Sequence, residues 1–144
     1  MAKKKRIALI TGATRGIGKE ISLALAKEDI HVILLGRTIG ALEEISDKIH
    51  LNGGNATCVQ FDLSDLNKIY DLSQEIKERW GKLDILISNA AYLHNLTPLS
   101  HLSNKDWQIS INVNLSANWL LIKHFEKLLL DCLLYTSDAA DDLR

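Results

Sequence analysis

The chain has little that would tie it to a metal, a membrane or a nucleic acid. It holds two cysteines, Cys58 and Cys132, too few for a disulfide framework and without the spacing of paired metal ligands. Net charge is −1 with acids and bases interspersed, so nothing in the balance calls for nucleic acid or a charged lipid surface. No apolar stretch is long enough to span a bilayer. The run Ile7–Ile10, after the basic start Lys3-Lys4-Lys5-Arg6, is too short for the core of a secretion signal. These shortages point to a cytoplasmic protein with neither nucleic acid nor membrane among its partners. His94 and His101 share a loop with the single proline, Pro98, but no third ligand clusters with them, so the loop is read as a substrate rim and no metal is expected.

What is present is a core and a punctuated turn. At 144 residues and 47% apolar, the chain suffices for one domain with its own interior. The organising stretch is Thr11-Gly12-Ala13-Thr14-Arg15-Gly16-Ile17-Gly18. Ahead of it Ile7–Ile10 reads as a buried strand, and behind it Ile17, Ile21, Ala24 and Leu25 recur at helical spacing. A glycine turn between a strand and a helix lets the backbone approach a pyrophosphate and aims the free N–H groups of the helix start at it. Gly12, Gly16 and Gly18 supply the close approach, with Thr14, Arg15 and Ile17 between them. It is not a GxxxxGK[ST] loop, because Ala13 stands where the first glycine should fall and Glu20 replaces the magnesium-binding hydroxyl.

Three further strands follow, each ending in a candidate site. Ile30–Leu35 stops at Gly36-Arg37, where an acid would hydrogen-bond the ribose 2′-hydroxyl of NAD and an arginine would pair with the 2′-phosphate of NADP. No acid is there; Arg37 is, and Arg15 is a second cation, so NADP is favoured over NAD. Ala56–Phe61 leads to Asp62-Leu63-Ser64, and Leu83–Ser88 leads to Asn89-Ala90-Ala91. Between them run amphipathic segments: one from Thr38 through Leu42, Ile45 and Ile49, and one from a Ser64 N-cap to a stop at Gly81. Ser103 and Asp106 read as a capping box opening a long helix through Leu120 that is apolar nearly all round.

The pattern TGxxxGxG resembles the nucleotide loop of short-chain dehydrogenases/reductases, whose extended epimerase relatives space their glycines differently. The resemblance implies an α/β fold, a Rossmann-type doubly wound parallel sheet in strand order 3-2-1-4, of which this chain would carry the N-terminal half. It implies that Asp62 approaches the adenine amino group while the Leu63 N–H reads the ring. Asn89-Ala90-Ala91 falls where the family carries its NAG motif, with Ala91 replacing the glycine. Asn114, in Val113-Asn114-Leu115 and seven residues beyond Trp107, matches the family's catalytic asparagine, which disturbs its helix and holds a water in a proton relay. The long helix would lie at a subunit interface of a homo-oligomeric parent. The implied chemistry is hydride transfer between NADP(H) and a small-molecule carbonyl or alcohol substrate.

The family's catalytic serine and tyrosine–lysine pair are not found: Tyr70 is followed four residues later by Gln74, Tyr92 by Leu96 and Tyr135 by Ala139. From Cys132 to Asp142 the string reads as the translation of a transposase-based sequencing adaptor. The expectation is therefore a partial dinucleotide-binding Rossmann domain over 1–131, a non-native tail over 132–144, and no catalysis by the chain as written. The alternative is an NADP-binding module or redox sensor without chemistry.

Overall fold

A computed structural model describes residues 4–133. Four strands, β1 (Arg6–Thr11), β2 (Ile30–Gly36), β3 (Ala56–Gln60) and β4 (Ile85–Ile87), form one sheet in the order β3-β2-β1-β4. Every pairing is parallel, with Ala8 opposite both Val32 and Ile85, and Val32 opposite Ala56. Parallel strands need crossovers, and the helices α1 (Gly16–Lys27), α2 (Ile39–Leu51) and α3 (Ile69–Trp80) supply them. Beyond β4 come α4 (Asn104–Ile111) and α5 (Ala117–Leu133), joined by a single wide π-helical turn, Asn112–Ser116.

The period-two alternation of the strands sorts side chains into two interiors. Ala8, Ile10, Val32 and Leu34 face α1 and α2, meeting Ala26, Leu42, Ile45 and Ile49. Ile7, Leu9, Ile33 and Leu35 face the other way, onto Leu72 and Ile76 of α3 and Ala117, Leu121 and Phe125 of α5. Both faces of the sheet are therefore covered, which is why its strands read as continuous apolar runs. Burying a leucine or phenylalanine fully, as at Leu121 and Phe125, contributes roughly 1.5–3 kcal/mol each.

Several expectations change in detail. Ser64 is not an N-cap: its N–H and hydroxyl both donate to Asp62 Oδ1, at 2.9 and 2.8 Å, a side-chain turn that takes the chain into a short 3-10 segment, Leu66–Lys68, before α3 begins. The fourth strand is three residues rather than six, because among the described residues β4 pairs only with β1. Below it Asp84 still follows β1, accepting from the Ile7 N–H at 2.7 Å through Oδ2 and donating its own N–H to the Ile7 carbonyl at 2.9 Å. The long helix is covered on one side only: Trp107, Leu115, Trp119, Ile122 and Leu130 are each more than half exposed. Ser103 does cap α4, its Oγ accepting from the Asp106 N–H at 3.0 Å, but the Asp106 carboxylate takes the Ser103 hydroxyl and not its backbone N–H, so the cap is half of a capping box; α3 stops at Gly81 in the left-handed region, φ +70°.

Candidate functional site

The carboxyl ends of the parallel strands share one edge of the sheet, and a cleft of about 610 Å³ opens there. Its floor is the turn between β1 and α1. Gly12 sits at φ +64° and a Cβ on it would lie 2.8 Å from the Ala90 Cα, so the left-handed backbone and the approach of the β4 loop both demand glycine. Gly18 does not line the cleft; it lies behind it, where a Cβ would overlap the Gly12 carbonyl oxygen and come 2.5 Å from the Asn89 amide nitrogen. The helix start is open: Arg15, at the N-cap, makes no side-chain capping hydrogen bond, which leaves the first N–H groups of α1 facing the cleft.

Asn89 and Thr11 weld the glycine turn to the β4 loop. Asn89 Nδ2 donates to the carbonyls of Thr11 and Gly12 at 3.2 and 3.1 Å. The fully buried Thr11 hydroxyl accepts from the N–H groups of Asn89 and Ala90, both at 3.0 Å. Ala91 keeps a negative φ, so replacing glycine there does not strain the turn; Asp29 is the sole non-glycine with positive φ among the described residues.

Gly12, Thr14, Arg15, Gly16 and Ile17 line the cleft from the glycine turn, Arg37 from the end of β2, Asp62 and Leu63 from the end of β3, and Asn89, Ala90 and Ala91 from the end of β4. Arg15 and Arg37 are both exposed there, and neither makes an ion pair among the described residues. Gln60 Nε2 donates to the Arg37 carbonyl at 3.0 Å and steadies its backbone. Asp62 commits Oδ1 to Ser64, leaving Oδ2 without a partner among the described residues.

Asn114 lies in the π turn and does not line the cleft. Its amide clamps the backbone of Tyr92, accepting from the Tyr92 N–H at 2.7 Å and donating to the Tyr92 carbonyl at 2.9 Å. Tyr92, the first residue of the loop read as a substrate rim, does line the cleft, and so do Ile109 and Val113, which the sequence reading missed as cleft residues. The phenol of Tyr92 donates to Asp106 Oδ1 at 2.8 Å, and Ser103 Oγ donates to Oδ2 at 2.9 Å. The bond to Asp106 raises the Tyr92 phenol above its ordinary value, and the bonds from Tyr92 and then Ser103 hold the Asp106 carboxyl below its own. Thr11 was quoted in the motif without a role, although a hydroxyl at the end of a buried strand signals a backbone anchor.

Comparison with known proteins agrees with this geometry. A family model described as short chain dehydrogenase matches residues 6–132. The 3-oxoacyl-[acyl-carrier-protein] reductase of Synechocystis sp. is 32% identical over 126 residues, covering 87% of this chain and 51% of that protein. Gluconate 5-dehydrogenase of Gluconobacter oxydans is 34% identical over 110 residues, 76% of this chain and 43% of that one. The chain thus spans about half the length of the curated relatives it matches. Among solved structures, a metagenomic short-chain oxidoreductase in complex with NADP superposes with a TM-score of 0.84 at 30% identity, over 88% of this chain and 57% of that one. A 3-oxoacyl (acyl-carrier-protein) reductase from Agrobacterium tumefaciens with NADP bound gives 0.80 at 32%, over 88% and 48%. With its glycine turn, its sheet order and its family match all in accord, the chain belongs to the short-chain dehydrogenase family.

Proposed function

We propose that this chain is the cofactor-binding half of an NADP-dependent oxidoreductase that acts on a small-molecule carbonyl or alcohol, and that alone it binds cofactor without turning over substrate. The observation that carries the cofactor preference is the pair Arg15 and Arg37, two guanidiniums free of ion pairs among the described residues, beside a β2 end that carries Gly36 rather than an acid. An NAD site would want a carboxylate there to hold the ribose 2′-hydroxyl; two cations suit a 2′-phosphate. Among the described residues the one acid that lines the cleft, Asp62, belongs to the end of β3.

The residues divide the cofactor among them. The uncapped N–H groups at the start of α1 hold the pyrophosphate over the backbone of Gly12 and Gly16. Asp62 and the Leu63 N–H take the adenine, and Asn89 keeps the glycine turn and the β4 loop at a fixed separation. The cofactor, when bound, would give a hydride to a carbonyl as NADPH or take one from an alcohol as NADP+. The substrate class rests on the relatives, whose names include an oxoacyl reductase and a gluconate dehydrogenase. No tyrosine in the chain is followed four residues later by lysine, which is why turnover is assigned to a longer parent. The exposed apolar stripe of α4 and α5 suits contact with a second copy in that parent.

Arg37→Ala tests the preference. Losing a charge-assisted phosphate contact should weaken NADPH binding about ten- to hundredfold while leaving NADH binding unchanged. Equal losses for both cofactors, or none, would overturn the assignment.

A further inference from the structure

The wide turn between α4 and α5 contains neither glycine nor proline, so its sequence offers no backbone reason for a π turn. Side chains hold it instead. Asn118 Nδ2 donates to the Asn114 carbonyl at 3.0 Å, one turn back, while the Asn114 amide grips Tyr92 on both sides of its α-carbon. The orientation of the Asn118 amide is fixed by this contact, since the reverse flip would set two oxygens against each other. The consequence falls on Oδ1 of Asn118, which is buried and has no hydrogen-bond partner among the described residues. A buried acceptor without a donor costs stability, and leucine, similar in shape, would avoid that cost. Packing alone therefore does not account for asparagine at this position; the donor on Nδ2 does.

We infer that Asn118 is a positioning residue: by holding the Asn114 carbonyl it sets the π turn at the angle from which Asn114 clamps Tyr92 at the wall of the cleft. The chain of contacts runs from Asn118 to the Asn114 carbonyl, from the Asn114 amide to the Tyr92 backbone, and so to the cleft that Tyr92 lines with Ile109 and Val113. The significance of that wall rests on the cofactor-site reading above; the mechanical link does not.

The test is amide hydrogen exchange on the full chain, without cofactor, in two variants. Asn118→Leu removes the donor and the orphaned acceptor together. Asn118→Ser keeps a donor, because a serine hydroxyl reaches the carbonyl four residues back. Asn118→Leu should speed exchange of the Tyr92 N–H about tenfold or more while amides of β1 and β2 keep their protection, and Asn118→Ser should restore it. Unchanged Tyr92 exchange in Asn118→Leu, or equal behaviour of the two variants, would overturn the inference. Loss of protection across the whole sheet in Asn118→Leu would also overturn it, since the asparagine would then support the fold and not the clamp. If NADPH fails to bind at all, the cofactor reading falls while the exchange result still decides the role of Asn118.

Discussion

Thr11 shows how much of the site hangs on one hydroxyl. Its Oγ accepts two backbone N–H groups from the β4 loop in a fully buried position, so the contact that welds the glycine turn to that loop has no solvent substitute. Thr11→Val keeps the shape and deletes the acceptor, stranding both donors. It should cost about 2–4 kcal/mol in urea unfolding, and a variant as stable as the parent would refute the weld. At this scale the sequence was legible where chemistry is local. Gly12 and Gly16 take the left-handed φ that a glycine turn announces, and Arg37 follows a strand whose end is visible in its own apolar run; Gly18, read as a pyrophosphate contact, instead packs behind the cleft against the Gly12 carbonyl and Asn89. The hydrogen-bond partners of Thr11 and Tyr92 were not legible, because they lie in other parts of the chain: 78 and 79 residues away for the Thr11 hydroxyl and 22 for the Tyr92 backbone.

Between elements, the junction of the β4 loop with α4 is a small polar system whose charge states can be read out. Tyr92 donates to Asp106, which also takes the Ser103 hydroxyl at the helix cap. The folded state holds the phenol above its ordinary value through the bond to Asp106, so the protonated form is favoured on folding. That contribution is present below the unfolded value of about 10 and is lost as pH rises through the folded one. Asp106, held low first by Tyr92 and then by Ser103, works in the opposite direction, contributing above the unfolded carboxyl value and losing it as pH falls through the folded one. Tyrosinate absorbance should therefore show a step above the ordinary phenol range that disappears in Tyr92→Phe; three ordinary steps in the parent would contradict the bond. The elements themselves were legible to within a few residues, since period-two and helical patterns act within one segment. A disturbed helix at Asn114 was implied by the resemblance; its form, a π turn with the Asn114 amide on the Tyr92 backbone, was not legible, because that contact joins two segments and the helix carries no breaker there. Ser64 was misplaced because Asp62 captured it for a tight turn before a helix began.

For the whole molecule, the two-faced core follows from side chains that alternate between the two faces along β1 and β2, and the strand order is the one the resemblance implied. What the fold leaves open is as informative. Trp107, Leu115, Trp119, Ile122 and Leu130 expose an apolar stripe, and β4 pairs on one side only. The purified chain should strongly enhance the fluorescence of a hydrophobic dye or self-associate with rising concentration, whereas a monodisperse monomer that leaves the dye dark would contradict a partial domain. We propose residues 1–131 as that partial domain; the family match ends at residue 132, and residues 134–142 of the adaptor-like string lie outside the described residues. We propose that this chain carries an NADP-selective dinucleotide site. Parallel fluorescence titrations of the unaltered chain with NADPH and NADH decide it. Saturable binding with NADPH at least tenfold tighter, the worth of one charge-assisted phosphate contact, is expected; equal affinities would remove the role given to Arg15 and Arg37, and no binding of either would remove the site.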